Sequence, residues 1–229
     1  MSDAIAILPA RGGSKRIPRK NVLPFAGRAA IGWPIGAALQ SGLFARVVVS
    51  TDDAEIAAAA RATGAEVPFT REAGLADDHT GTTEVVRDAV TRLGLPDDTP
   101  VCCIYATAFF VTAADLAQGF ARLQDGADWA LSLGEYRTPI QRAYRQLGAG
   151  RVAAFAPDEM PKRSQDLEPA FFDAGQFYWA RAGQWRDPAA RVWDGAAGVV
   201  LPPERCIDID TPADWDLAER MFAALGLGG

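Results

Sequence analysis

The sequence predicts an α/β fold, a mostly parallel sheet with helices on both faces. Two observations carry that expectation. Apolar runs of strand length at residues 4–8 (AIAIL), 46–50 (RVVVS) and 101–105 show no polar alternation, the pattern of strands buried on both faces. Between them lie segments with a 3.6-residue apolar period, so strand and helix alternate along the chain. A length of 229 residues, 49% apolar and 23% charged, suits one such domain with a sizeable core.

Each element follows in order. The first strand, 4–8, ends at Pro9 and a polar loop. Residues 31–43 read as a helix and 46–50 as the second strand. Asp52 is placed to cap the next helix, with Glu55 three residues on as its capping-box partner, and Gly64 stops that helix after Thr63. A short strand follows at 65–69. Val85, Val86, Ala89, Val90 and Leu93 mark one helical face. Then come a strand at 101–105, a helix at 113–123 and a strand at 129–133. The rhythm breaks at 135–174, rich in Arg, Gln, Pro and Gly, which reads as a small inserted arm covering the site or pairing with a second subunit. Strands return at 176–180, 198–201 and 206–209. Thr211 as N-cap with Pro212 at the first helical position opens the last helix, with Trp215, Ala218 and Phe222 facing inward.

Bulk properties exclude several classes. A net charge of −6 and a pI near 4.9 argue against a nucleic-acid or membrane-surface binder. Cys102, Cys103 and Cys206 have no metal or redox spacing and read as buried thiols in a reducing compartment. No signal peptide and no membrane span are evident, which gives a cytoplasmic expectation.

Against that acidic background, the loop at 10–21 (ARGGSKRIPRKN) packs five cations, Arg11, Lys15, Arg16, Arg19 and Lys20, into ten residues. Within it, Gly12 and Gly13, flanked by Ala10 and Ser14, let the backbone approach a ligand closely and aim N–H groups at it. Backbone donors with Arg forks and a Lys point charge suit a triphosphate, and the loop starts where α/β sheets bind ligands. It is neither a Walker A loop nor G-x-G-x-x-G. A solvated basic loop is the competing reading.

In Asp208-Ile209-Asp210-Thr211-Pro212, an inward Ile209 would throw Asp208 and Asp210 together on the other side. Two such carboxylates suit Mg²⁺ that also touches phosphate oxygens; helix capping is the alternative. In 75–83 (LADDHTGTT), Thr80 and Thr82 lead into a helix and suit a ribose, a base edge or an anion; N-capping explains them equally. His79 is the sole histidine, so histidine metal clusters are excluded and a Ser-His-Asp triad is disfavoured. The six tryptophans are scattered and form no stacking stripe. Lys162, Arg163, Gln165, Asp166, Asp173, Gly175 and Gln176 form a polar set that fits either a polyhydroxylated acid or a subunit interface.

The segments LPARGGSKRIPRKN, STDDAEIA, GAEVPFTR, LADDHTGTT, RSQDLEPAFFDAGQFYW and DIDTPADW together resemble the acylneuraminate cytidylyltransferases, and most nearly their pseudaminic acid branch. The resemblance runs over residues 4–215. It implies a Rossmann-like, GT-A-like nucleotidyltransferase sheet and the transfer of CMP from CTP to a nine-carbon nonulosonic acid, with release of pyrophosphate. It further implies that Arg11, Lys20 and Asn21 hold the nucleotide, that the backbone from Leu8 to Ala10 and the turn from Thr80 to Thr82 read cytosine and ribose, and that Asp208 and Asp210 hold Mg²⁺, with Mn²⁺ as an alternative. Arg71, Arg163, Gln165 and Gln176 fall where such enzymes contact sugar or pyrophosphate, and the arm where they form a homodimer. Tyr105 stands in a glutamine slot and Phe109 in a proline slot, and Phe171 and Phe172 are more apolar than the matching pair. Tyr105 argues against ordinary sialic acid and leaves legionaminic and other ulosonic acids as alternatives; a nucleotide-binding protein without turnover is the reading from a different class.

Overall fold

The computed structural model describes residues 3–76 and 80–227. Strand β1 (Ala4–Pro9) leads through a tiny hairpin, β2 (Pro24–Phe25) and β3 (Arg28–Ala29), to α1 (Gly32–Gln40), β4 (Phe44–Ser50) and α2 (Ala54–Ala62). Then follow α3 (Thr82–Arg92), β5 (Pro100–Ile104), α4 (Ala113–Gln124) and β6 (Trp129–Glu135). A separate hairpin, β7 (Tyr144–Gly148) and β8 (Arg151–Ala154), precedes β9 (Phe171–Arg181), α5 (Ala182–Arg186), β10 (Ala196–Leu201) and α6 (Pro212–Ala224).

Six strands form one sheet in the order β10-β6-β9-β5-β1-β4. The pairs β1/β4, β1/β5 and β10/β6 are parallel, while β9 runs antiparallel between β5 and β6. Expected strands at 65–69 and 206–209 do not form ladders. The first contributes two isolated bridges, Val48 to Glu66 and Thr51 to Thr70, and the second is irregular extended chain. The helix expected to reach residue 43 stops at Gln40 because Gly42, at φ +64°, turns the chain out of helical geometry.

Central strands are buried on both sides. Ala4, Ala6 and Leu8 pack with Ile35, Ile56 and Leu116 on one face. Ile5 and Ile7 pack with Val86, Val90 and Trp185 on the other, which places helices on both faces as expected. A third cluster joins Ile17, Phe25, Phe109 and Phe110 to Ile209, Trp215 and Phe222. Phe109 stacks on Phe25 at 4.0 Å and meets Trp215 edge-on at 5.5 Å. This cluster fastens the basic loop to the start of α6, and so brings the two ends of the sequence together.

Candidate active site

The loop after β1 has a fixed shape. Gly12 donates its N–H to Asp52 Oδ1 at 3.0 Å, and a Cβ at residue 12 would lie 2.6 Å from Asp53 Oδ2, so only glycine fits there. Gly13 faces open space, leaving its backbone accessible to a ligand. Asn21, buried, donates to the Arg11 carbonyl oxygen at 3.0 Å and ties the loop's ends. Arg19 adopts φ +58° and forks onto Asp53, with Nη2 2.9 Å from Oδ1, while also meeting Glu55. That fork holds the Asp53 carboxyl down to about 2, and the Arg19 pKa rises in turn. Arg19 therefore shapes the loop. Asp53, not Asp52, caps α2, accepting from the N–H groups of Glu55 and Ile56, because Asp52 is drawn to Gly12.

The acidic pair is positioned from behind. Arg205 lies bidentate on the nearly buried Asp115, and the Gln176 amide donates to the Arg205 carbonyl oxygen at 2.5 Å. Ahead, Thr211 caps α6, and Asp214 Oδ2 accepts from the N–H groups of Asp210 at 3.1 Å and Thr211 at 2.7 Å. Ile209 is 1% exposed, so Asp208 and Asp210 flank a side chain committed to the core. The capping role belongs to Thr211 and Asp214, so neither carboxylate is spent on the helix. Partial burial, then the neighbouring Asp210 charge, pushes the Asp208 pKa up.

Loop and acidic pair touch directly. Lys20 Nζ donates to the Ile209 carbonyl oxygen at 2.6 Å, and Arg16 Nη2 pairs with Asp210 Oδ1 at 2.6 Å. Burial lowers the Lys20 pKa, while the charges of Asp210 and Asp208 pull it back up. No three-carboxylate or histidine–cysteine cage exists among the described residues. Two carboxylates nevertheless fit an ion such as Mg²⁺, which keeps waters and takes substrate phosphates for its remaining ligands.

Beside the loop, a cleft of about 260 Å³ is lined by Pro9, Arg11, Arg71, Leu75, Thr80, Thr82 and Tyr105. Leu8 and Ala10, on either side of Pro9, are buried, and neither side chain lines the cleft. Arg71 is 4% exposed; it donates to the Ser50 carbonyl oxygen at 2.5 Å and to that of Leu75 at 3.4 Å, while its Nε has no partner in the structure. Burial without a paired carboxylate lowers its pKa. Gly81 is the N-cap of α3, and Glu84 closes the turn by accepting from the Gly81 N–H at 3.1 Å. Thr82 is thereby released from capping and its hydroxyl lies 3.1 Å from the Tyr105 hydroxyl. Asp77, Asp78 and His79 of the same motif lie outside the described residues.

Thr82 and Tyr105 also border a second, more apolar pocket of about 470 Å³, formed by Leu131, Leu133, Asp173, Tyr178, Trp185, Val192 and Trp193. Its shape comes from a wide bulge in β9. Ser132 opposes four residues there, and its hydroxyl accepts from the N–H groups of Gln176 and Phe177, both at 3.1 Å. Gly175, at φ +61°, makes the bend. Gln176 thus acts as a buried strut, with its Oε1 unpartnered in the structure. Burial raises the Tyr178 pKa, and its hydroxyl donates to Asp173 Oδ2 at 2.5 Å.

The structure gathers Arg11, Lys20, Asn21, Arg71, Thr80, Thr82, Tyr105, Asp208 and Asp210 around one open end of the sheet. It does not bring Arg163 and Gln165 there. They sit exposed beyond the hairpin, with the Gln165 amide oxygen, once turned toward Arg163, accepting from its Nε at 3.0 Å. Sequence reasoning missed Asp115, Ser132, Tyr178, Trp193 and Arg205 because their places come from tertiary contacts: Ser132 and Tyr178 lie in paired strands, Asp115 and Arg205 meet across 90 residues, and Trp193 lines a pocket built by several elements.

Residues 5–145 match the family model described as Cytidylyltransferase. Over 221 residues the chain is 38% identical to a pseudaminic acid cytidylyltransferase of Campylobacter jejuni, covering 95% of each chain. Over 227 residues it is 30% identical to a CMP-N,N'-diacetyllegionaminic acid synthase of Legionella pneumophila, again covering 95% of each. Its fold is that of a CMP:2-keto-3-deoxy-manno-octonic acid synthetase solved with CTP, at a TM-score of 0.71 and 19% identity, over 98% of this chain and 100% of that one.

Proposed function

The chain belongs to the cytidylyltransferase family, and from that premise we propose that it transfers CMP from CTP to a nine-carbon nonulosonic acid, pseudaminic acid before all others. The anomeric hydroxyl of the acid attacks the α-phosphorus, the bond to the β-phosphate oxygen breaks, and pyrophosphate departs. The observation that carries this reading is the junction of the basic loop and the acidic pair, where Lys20 and Arg16 reach Ile209 and Asp210. A binding module needs the cations; it does not need two carboxylates beside them.

The chain's own groups divide the work. Arg71 lines the cleft with a guanidinium whose Nε–H has no partner in the protein, a donor for cytosine's carbonyl and ring-nitrogen acceptors. Thr80 and Thr82 face the ribose. Arg11, the backbone at Gly12, Gly13 and Ser14, and Lys20 hold the phosphates and neutralise the leaving pyrophosphate. Asp208, which takes no part in capping α6, takes the proton of the attacking hydroxyl. Mg²⁺, or Mn²⁺, held by Asp208 and Asp210, supplies positive charge against the phosphate oxygens.

The apolar pocket beyond Tyr105 receives the acid's substituents, which favours an acceptor with acylamino or deoxy groups over a fully hydroxylated one. We further read the enzyme as a cytoplasmic homodimer. No helix among the described residues is long and apolar enough to cross a membrane. The β7–β8 hairpin and the chain after it expose Leu147, Val152 and Phe155 at 53%, 60% and 62%, an apolar surface for a second copy.

An acceptor panel with CTP and Mg²⁺, read by pyrophosphate release and product mass, tests the reading. Pseudaminic acid should turn over fastest, legionaminic and sialic acids more slowly. Absence of pyrophosphate with every nonulosonic acid would overturn it, as would near-normal rates after Asp210→Asn.

A further inference from the structure

Four of the loop's cations have partners with different degrees of freedom. Arg19 is held by Asp53 and Glu55. Lys20 is half-buried against the Ile209 carbonyl oxygen. Arg11 lines the nucleotide cleft. Arg16, in contrast, reaches out from a side chain 66% exposed to an Asp210 side chain that is 42% exposed, and joins it through one contact of 2.6 Å. Ion pairs so exposed hold their partners weakly and exchange them readily.

The carboxylate that Arg16 occupies is one of the two assigned to the metal. Asp208 and Asp210 are like charges on either side of the buried Ile209, so a cation is favoured beside them, and Arg16 supplies one in the structure. A guanidinium and a hard divalent ion compete for the same oxygen. A triphosphate entering the loop offers Arg16 a richer anion with fork geometry, and it carries oxygens that complete the metal's shell.

We propose that Arg16 is an exchangeable counter-cation: it occupies Asp210 in the nucleotide-free enzyme, and the arriving triphosphate draws it away, so the metal's seat opens with the nucleotide. The proposal rests on the reading of Asp208 and Asp210 as metal ligands. Metal and nucleotide then bind with positive coupling, and the coupling is reciprocal. Arg16 acts here as a positioning residue, through Asp210.

The test is Mn²⁺ binding followed by the electron paramagnetic resonance signal of the free ion, with no turnover involved. Wild type, Arg16→Gln and Arg16→Lys are titrated alone and with a CTP analogue bridged by methylene between the α- and β-phosphorus. Without nucleotide, Arg16→Gln should bind Mn²⁺ about tenfold more tightly than wild type, within the usual range of coupling between sites. Arg16→Lys, which keeps a cation, should stay near wild type, and the analogue should narrow the gap between wild type and Arg16→Gln. Equal nucleotide-free affinity in wild type and Arg16→Gln overturns the exchange. If Arg16→Gln gains affinity and a further Asp210→Asn change leaves that gain intact, the metal assignment itself falls, and this proposal with it.

Discussion

Arg205 lays its guanidinium on the Asp115 carboxylate across 90 residues of sequence, with Nη2 3.0 Å from Oδ1 and Nη1 also reaching the Phe110 carbonyl oxygen at 3.1 Å. The pair is mostly buried, at 16% and 5% side-chain exposure, and it sits immediately before the chain that carries Asp208 and Asp210. Asp115→Asn keeps size and an acceptor for Thr112 but strands the Arg205 charge. Urea unfolding should show a loss of about 3 kcal/mol, the usual cost of breaking such a pair. Turnover should fall as well, because the segment from Cys206 to Asp210 loses its anchor. Unchanged stability would show that Arg205 finds other partners.

Asp208 should trade stability for activity. Its pKa is raised in the folded protein, so the fold favours the protonated form. That contribution is present below the ordinary carboxylate value and is lost as pH rises through the raised one. At pH 7, Asp208→Asn should therefore melt above wild type, with the difference closing as pH falls into the carboxylate range. Its turnover should drop by about two to three orders of magnitude, the scale of losing a group that stabilises the transition state. A variant that melts lower at pH 7 contradicts the electrostatic account.

Arg71 is the residue whose loss should fall on the nucleotide alone. Arg71→Lys retains charge and loses the fork, so calorimetry should find CTP bound about tenfold to a hundredfold more weakly, as expected for one or two charge-assisted hydrogen bonds. The KM for the acceptor should hardly move. An equal change in both would place Arg71 between the two substrates.

Acid stability should report on Asp53. Its folded pKa is about 2 against an ordinary 3.8, chiefly through Arg19, so its stabilisation is present above about pH 4 and is lost as pH falls toward 2. Asp53→Asn preserves the N-cap acceptor and removes the ion pair. Urea midpoints measured at pH 5 and pH 2 should therefore differ less in Asp53→Asn than in wild type. Parallel losses in the two proteins would remove the Arg19 clamp from the account.

Local rules carried much of this structure. The helix at Thr211–Pro212 starts where its cap predicts, and Trp215, Ala218 and Phe222 face inward because their spacing follows the helical period. The loop at 10–21 and the Asp208/Asp210 pair were legible from charge density and alternation. Pairing partners were not. Asp52 and Asp53 are both sound caps by sequence, and only the tertiary contact to Gly12 decides between them. The direction of β9 and its bulge around Ser132 depend on strands some 40 residues apart, which no local pattern encodes. The arm at 135–174 likewise gives its ends to the main sheet, since β6 runs to Glu135 and β9 starts at Phe171.

The cluster that joins Ile17 and Phe25 to Trp215 and Phe222 makes the site depend on both ends of the sequence. Both faces of the sheet are built without α6, whereas Lys20 finds its partner, the Ile209 carbonyl oxygen between the two carboxylates, just ahead of that last helix. A growing chain folds its early segments first during synthesis. Such a chain carries its basic loop before the residues that complete the site have been made.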